Sequence, residues 1–128
     1  MKNYRVVELL GDGISPELSQ SVRTVVQALS CKIEFLPIDL SEANRKARGN
    51  VLYDEAVAAM RQHGIAIKYP TATPTTKGGE SPNKVLRDRC QFAVIHRPVC
   101  TIPGIENNFK KTIDIDVVRI ATGGTYED

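Results

Sequence analysis

Along the chain the apolar positions change period several times, and each change predicts an element. Tyr4 to Leu10 is a short, β-rich apolar run that stops at Gly11-Asp12-Gly13, the pattern of a buried strand entering a turn. Past the turn the period becomes helical. Leu18, Val22, Val25, Val26 and Leu29 fall on one face, which is expected to be core. Ser15 is placed to N-cap this helix, with Pro16 at its first position and Glu17 in its first turn. Ile33 to Ile38 reads as a second strand, whereas Ser41 to Asn50 is polar, ends in Gly49-Asn50 and reads as a loop. Leu52, Ala56, Ala59 and Met60 give a second amphipathic helix ending near Gly64, and Ile65 to Lys68 gives a third short strand.

The stretch from Tyr69 to Glu80 holds two prolines, two glycines and four threonines, too many turn formers for regular structure, and is expected to be a surface loop with a functional part. Ser81-Pro82 opens a third helix through about Arg89. Phe92 to His96 and Ile113 to Val118 are further strands. Helices between strands predict an α/β layered domain whose largely parallel sheet is flanked by helices. No repeat or linker divides the 128 residues, so one domain over 1–128 is expected.

Composition narrows the function classes. Seventeen Lys and Arg against fifteen Asp and Glu leave a formal charge of +2, with Arg45 to Arg48 the densest basic patch, a poor footprint for nucleic acid or an anionic membrane. Lys2, Arg5 and Glu8 stand where a secretory signal would need an apolar block, and no apolar run is long enough to span a bilayer. Cys31, Cys90 and Cys100 are odd in number and lack CxxC pairing, which supports neither a disulfide framework nor a zinc site; a reducing, cytoplasmic setting is expected.

Several residues could carry chemistry. Gly11-Asp12-Gly13 lies between a strand and a helix amino terminus, where backbone amides can hold an anion. Pro16 replaces the third glycine of a dinucleotide fingerprint, so a plain tight turn is the simpler reading. Ser81 and Asn83 sit at a helix start, Arg87 lies one turn beyond Asn83, and Arg97 and Arg119 each come near the end of an apolar strand. If these three guanidinium groups converge they suit a di- or tricarboxylate, since each fork can hold a carboxylate by two charge-assisted hydrogen bonds; otherwise they are solvated surface cations. His63 reads as a cation at a helix carboxyl terminus and His96 as one position of a sheet face, neither with a catalytic role. Asp114 and Asp116 alternate to one strand face, which is more simply polar surface than a metal pair.

Taken together, these segments resemble the amino-terminal part of the isocitrate and isopropylmalate dehydrogenase family, the decarboxylating β-hydroxyacid dehydrogenases. LLGDGISPEL is similar to the family's GDGIGPE turn and helix, TATPTTKGGESPNKVLRDR to its TP loop followed by SxNxxLR, HRP to its RP strand, and IDIDVVRIATGGTY to the strand ending in RENTEGxY. The four segments keep family order and cover nearly the whole chain. The fold implied is the first half of an isopropylmalate-dehydrogenase-like large domain.

The resemblance implies a substrate site in which Ser81 and Asn83 touch the distinguishing carboxylate, as in the isocitrate branch, while Arg87, Arg97 and Arg119 hold the malate-like core. It implies Tyr126 as the general acid that protonates the enol and places Thr73 beside the nicotinamide ribose. Departures are concentrated on the cofactor side. Ile120, Ala121 and Gly123 replace the Glu, Asn and second Glu of RENTE, and Thr75, Thr76 and Lys77 stand in a loop that is usually glycine-rich. The family's catalytic lysine, metal-binding aspartates and adenine loop belong to a region beyond the resemblance, so the chain is expected to need no cofactor by itself. NAD and magnesium or manganese would enter only if a complementary chain completes the site. Three readings follow: a pseudoenzyme that binds an isocitrate- or citrate-like ligand, part of an NAD-dependent decarboxylating dehydrogenase, and an interaction module. Self-association through the exposed edge of the last strand is expected, with no nucleic acid or membrane partner.

Overall fold

Asn3–Leu10 (β1) carries the most deeply buried run among the described residues, Val6 to Leu9, and the elements around it follow from covering it. The computed structural model describes residues 2–73, 80–109 and 111–121. After β1 come α1 (Ser15–Gln27), β2 (Lys32–Asp39), α2 (Glu42–Arg48), α3 (Asn50–His63), β3 (Ala66–Lys68), α4 (Pro82–Cys90), β4 (Val94–Cys100) and β5 (Asp114–Ile120). They form two compact units, Met1–Leu86 and Arg87–Asp128, the division falling within α4.

In the first unit the sheet runs β2-β1-β3, with both pairings parallel. Parallel neighbours need crossovers, which α1 supplies between β1 and β2, and α2 with α3 between β2 and β3. The two crossovers travel in opposite directions, so a common right hand puts α1 and α3 on opposite faces. Val7, Leu9, Leu40, Leu52 and Ala56 are essentially inaccessible. Each buried Val or Leu contributes roughly 1.5–3 kcal/mol. Gly64 ends α3 in a left-handed turn at φ 74°, its amide closing on the Met60 carbonyl, with His63 in the last turn as expected. Pro37 lies within β2 without breaking its pairing with β1, the one described partner of that strand.

Three expectations are corrected. Ser41 to Asn50 is not a loop: Ser41 caps α2, its hydroxyl accepting from the Asn44 amide, and Arg45, Lys46 and Arg48 lie in the last turn. Ser15 does not cap α1. Ile14 holds the cap position, and the Ser15 hydroxyl, inside the first turn, accepts from the Gly11 amide at 2.8 Å. Nor is the whole apolar face of α1 core: Ser15 and Ser19 are its buried residues and Val22 and Val26 are half-buried, while Val25 is 64% exposed, with Leu18 and Leu29 also open. Small serines let the helix approach the sheet closely, and this turns its Leu18, Val25 and Leu29 stripe outward.

The second unit holds the antiparallel pair β4–β5, which stands outside the parallel sheet. Val94, Val99, Ile115, Val117, Val118 and Ile120 on this ribbon are all exposed. α4 is followed by Gln91, held in the left-handed region at φ 56°.

Candidate functional site

The β4–β5 register decides which arginines meet. Ile95 lies opposite Arg119 and Arg97 opposite Val117. Side chains alternate across a strand, so Ile95, Arg97, Val117 and Arg119 share one face and the two arginines are diagonal neighbours, about 7–8 Å apart at their backbones. Arg97 is exposed and Arg119 half-buried. His96 and Asp116 occupy the opposite face, where they are joined at 2.7 Å, so the role of polar strand surface expected for both holds. Asn83 and Arg87 are four residues apart on α4 and share a helix face, with Asn83 exposed and Arg87 half-buried. Ser81 immediately precedes this helix and accepts the Val85 amide through its carbonyl at 3.0 Å. Thr73 is exposed in the segment that follows β3. Tyr126, Gly123, Thr75, Thr76 and Lys77 lie outside the described residues.

A second cluster sits at the carboxyl ends of β1 and β3, where open parallel sheets bind ligands. Two amides of the Gly11-Asp12-Gly13 turn are committed within the chain: Gly11 donates to Ser15, and Asp12 to the Pro70 carbonyl at 2.7 Å. Neither of these is left to hold an anion, in keeping with a tight turn. The Asp12 carboxylate accepts from the Glu42 amide at 2.8 Å and the Ala72 amide at 2.7 Å. Arg45, whose side chain is 8% exposed, donates to the carbonyls of Leu40 at 2.9 Å and Ala72 at 2.7 Å and pairs with Asp12 at 3.4 Å. Burial opposes ionisation of Asp12, but the Glu42 and Ala72 amides and the Arg45 charge outweigh it and hold the carboxyl below its usual range. Lys68 donates to the Tyr69 carbonyl at 2.8 Å and the Thr71 hydroxyl at 3.0 Å, and burial together with Arg45 pushes its amine down against the pull of Asp12.

Below this cluster lies a buried carboxylate. Glu8 is fully inaccessible in β1; it accepts from Ser19 at 2.7 Å, from the Tyr69 hydroxyl at 3.2 Å and from the Arg23 guanidinium. Arg23 in turn lies over the Phe35 ring, 4.8 Å from its centroid. Burial pushes the Tyr69 phenol up, with the Ser19 hydrogen bond opposing and the Glu8 charge adding.

Sequence reasoning missed Glu8, Arg45, Lys68 and Tyr69 as a connected group. The readable signal was a charge inside an apolar strand, at Glu8, and another at a strand end, at Lys68. The basic patch at Arg45 to Arg48 is neutralised locally: Arg45 meets Asp12, Lys46 meets Glu42 and Arg48 meets Glu55. Among the described residues no three His, Cys, Asp or Glu side chains are grouped so as to hold a metal ion, and these residues do not by themselves make a metal site. Among them, too, no helix is long and apolar enough to cross a membrane.

A parallel sheet flanked by helices, followed by a ribbon with two arginines on one face, defines an α/β protein. The family model for isocitrate/isopropylmalate dehydrogenase matches residues 5–128, and the chain belongs to that family. It is 32% identical over 123 residues to subunit 2 of the mitochondrial NAD isocitrate dehydrogenase of Kluyveromyces lactis, a match covering 96% of this chain and 33% of that protein. The chloroplastic 3-isopropylmalate dehydrogenase of Solanum tuberosum is 28% identical over 116 residues, covering 91% and 32%. Among solved structures, isocitrate dehydrogenase from Methylococcus capsulatus superposes with a TM-score of 0.83 at 25% identity, covering 96% of this chain and 36% of that one. The chain thus spans about a third of the length of the relatives it matches.

Proposed function

We propose that this chain carries the carboxylate-binding portion of an isocitrate-type site and takes up a small di- or tricarboxylate, isocitrate- or citrate-like, without oxidising it unaided. The supporting observation is that Arg97 and Arg119 share a face of the β4–β5 ribbon. Two forks on one face can hold two carboxylates of one ligand, each by paired charge-assisted hydrogen bonds. The resemblance alone assigns Ser81 and Asn83 to the distinguishing carboxylate and Arg87 to the malate-like core, and Tyr126 and Thr73 keep the roles of acid and nicotinamide neighbour only in a completed site. Ile120 and Ala121, directly after Arg119, offer no polar contact toward a cofactor, which supports the pseudoenzyme reading. Three free cysteines suit a reducing cytoplasm.

Calorimetric titration with isocitrate and citrate tests the proposal. Binding is expected in the millimolar range or tighter, weakened about tenfold by Arg97→Ala or Arg119→Ala. Absence of heat from the folded protein at millimolar ligand overturns it. A second reading is favoured by the relatives being subunits of an NAD isocitrate dehydrogenase that are about three times longer. In it, further polypeptide completes the enzyme, bringing NAD and magnesium or manganese, and NAD reduction on mixing with isocitrate and such a partner distinguishes it.

The ribbon also favours self-association. Two strands alone are marginal in water, and apolar residues on both faces of this pair are exposed. Sedimentation is expected to give a dimer or larger species, dissociated by Val118→Lys. A monomer at the highest soluble concentration argues against an interaction module.

A further inference from the structure

The Asp12 and Arg45 cluster has a consequence for the segment that carries Thr73. Leaving β3, the chain is held at Tyr69, whose amide donates to the Leu9 carbonyl at 3.0 Å, and at Pro70, whose carbonyl accepts the Asp12 amide at 2.7 Å. Two residues on, Ala72 is held at both of its backbone groups: its amide donates to Asp12 and its carbonyl accepts from Arg45, each at 2.7 Å. The same carboxylate takes the Glu42 amide, and the same guanidinium takes the Leu40 carbonyl. Three separated stretches, the turn after β1, the start of α2 and the exit from β3, are therefore tied by one carboxylate and one guanidinium.

We propose that Asp12, braced by Arg45, is a positioning residue that latches the Thr71–Thr73 segment and so fixes where Thr73 stands at the carboxyl end of the sheet. The latch rests on contacts within this chain alone. Its effect on a ligand rests in addition on the carboxylate-binding reading, and the experiment below needs no ligand. A neutral amide side chain at position 12 keeps one acceptor oxygen but presents an NH2 group where the second oxygen stood. It can then satisfy the Glu42 amide or the Ala72 amide, not both, and it gives Arg45 no charge to face. The charged groups facing Asp12 are Arg45 from α2 and Lys68 from β3. The ionised form accepts all the bonds, so the latch is complete above the ordinary aspartate range and opens as the pH falls through the depressed folded value.

Amide hydrogen exchange in Asp12→Asn, read residue by residue, is the test. The Ala72 amide is expected to exchange about tenfold faster or more, while the Val7 amide in β1 keeps its protection, and Asp12→Glu is expected to restore part of the Ala72 protection. Unchanged protection at Ala72, or equal loss at Ala72 and Val7, overturns the latch, the second result making Asp12 a general stabiliser. Should the variant not fold, the wild-type protein decides by NMR titration. The Ala72 and Glu42 amide shifts are then expected to follow one common ionisation below the free aspartate value, and separate or absent titrations overturn the proposal. Absence of calorimetric ligand binding by the unsubstituted protein, with the exchange pattern as expected, would discredit the carboxylate reading and leave the latch standing.

Discussion

Gly11→Ala is expected to destabilise the first unit by about 3 kcal/mol or more, the size reserved for backbone collisions in a packed site. A Cβ on Gly11 would stand 1.9 Å from the Pro70 carbonyl oxygen and 2.9 Å from both the Pro70 carbonyl carbon and the Thr71 methyl. The first two atoms are backbone, so no rotamer change relieves them. Moving Pro70 away breaks the 2.7 Å bond from the Asp12 amide and carries Ala72 with it. Urea denaturation followed by far-UV circular dichroism reads the loss. A cost below about 1 kcal/mol would mean that the two turns are not in this close contact in solution.

Second in size is Glu8→Ala, expected to cost about 3 kcal/mol. Its removal leaves the Tyr69 and Ser19 hydroxyls buried without their acceptor, deprives Arg23 of its partner and opens a cavity in the middle strand. Arg23 keeps 43% of its side chain in water, which places the loss toward the lower end of values for broken buried pairs. Glu8→Met combined with Tyr69→Phe removes the carboxylate and one orphaned hydroxyl while refilling the space, and is expected to recover part of the stability. A combined variant less stable than Glu8→Ala would show that the polar network does more than satisfy its own members.

Most of the order of strands and helices in the first unit was legible because β1 and α3 bury runs of apolar positions and β2 half-buries an alternating set, and burial writes a period into the sequence. α2 left no such trace. Its sequence EANRKAR contains no apolar stripe, and it is held by the Ser41 cap and by Arg45 reaching Asp12, which are contacts of individual polar groups. α1 misled in the opposite way. Its stripe of Leu18, Val22, Val25, Val26 and Leu29 has helical spacing, but spacing reports amphipathicity and does not say which side meets the sheet; Ser15 and Ser19 do, with Val22 and Val26 half-buried beside them. For the candidate site, the residue types were readable and their grouping was not. Arg97 and Arg119 share a face only by virtue of the antiparallel register, although thirteen residues without a helical period between Cys100 and Asp114 already argue for a hairpin over a crossover. Asp12 was legible as part of a turn, but its bonds to Glu42 and Ala72 join positions thirty and sixty residues away, which no local pattern encodes.

Pro37 gives the parallel sheet a direction of growth. A strand laid along the outer side of β2 would meet a ring nitrogen with no hydrogen to donate, leaving a gap in the ladder midway along the edge. Widening of this sheet, whether by a longer chain or by another molecule, is therefore favoured on the β3 flank, and the β2 border acts as a built-in stop against edge-to-edge aggregation.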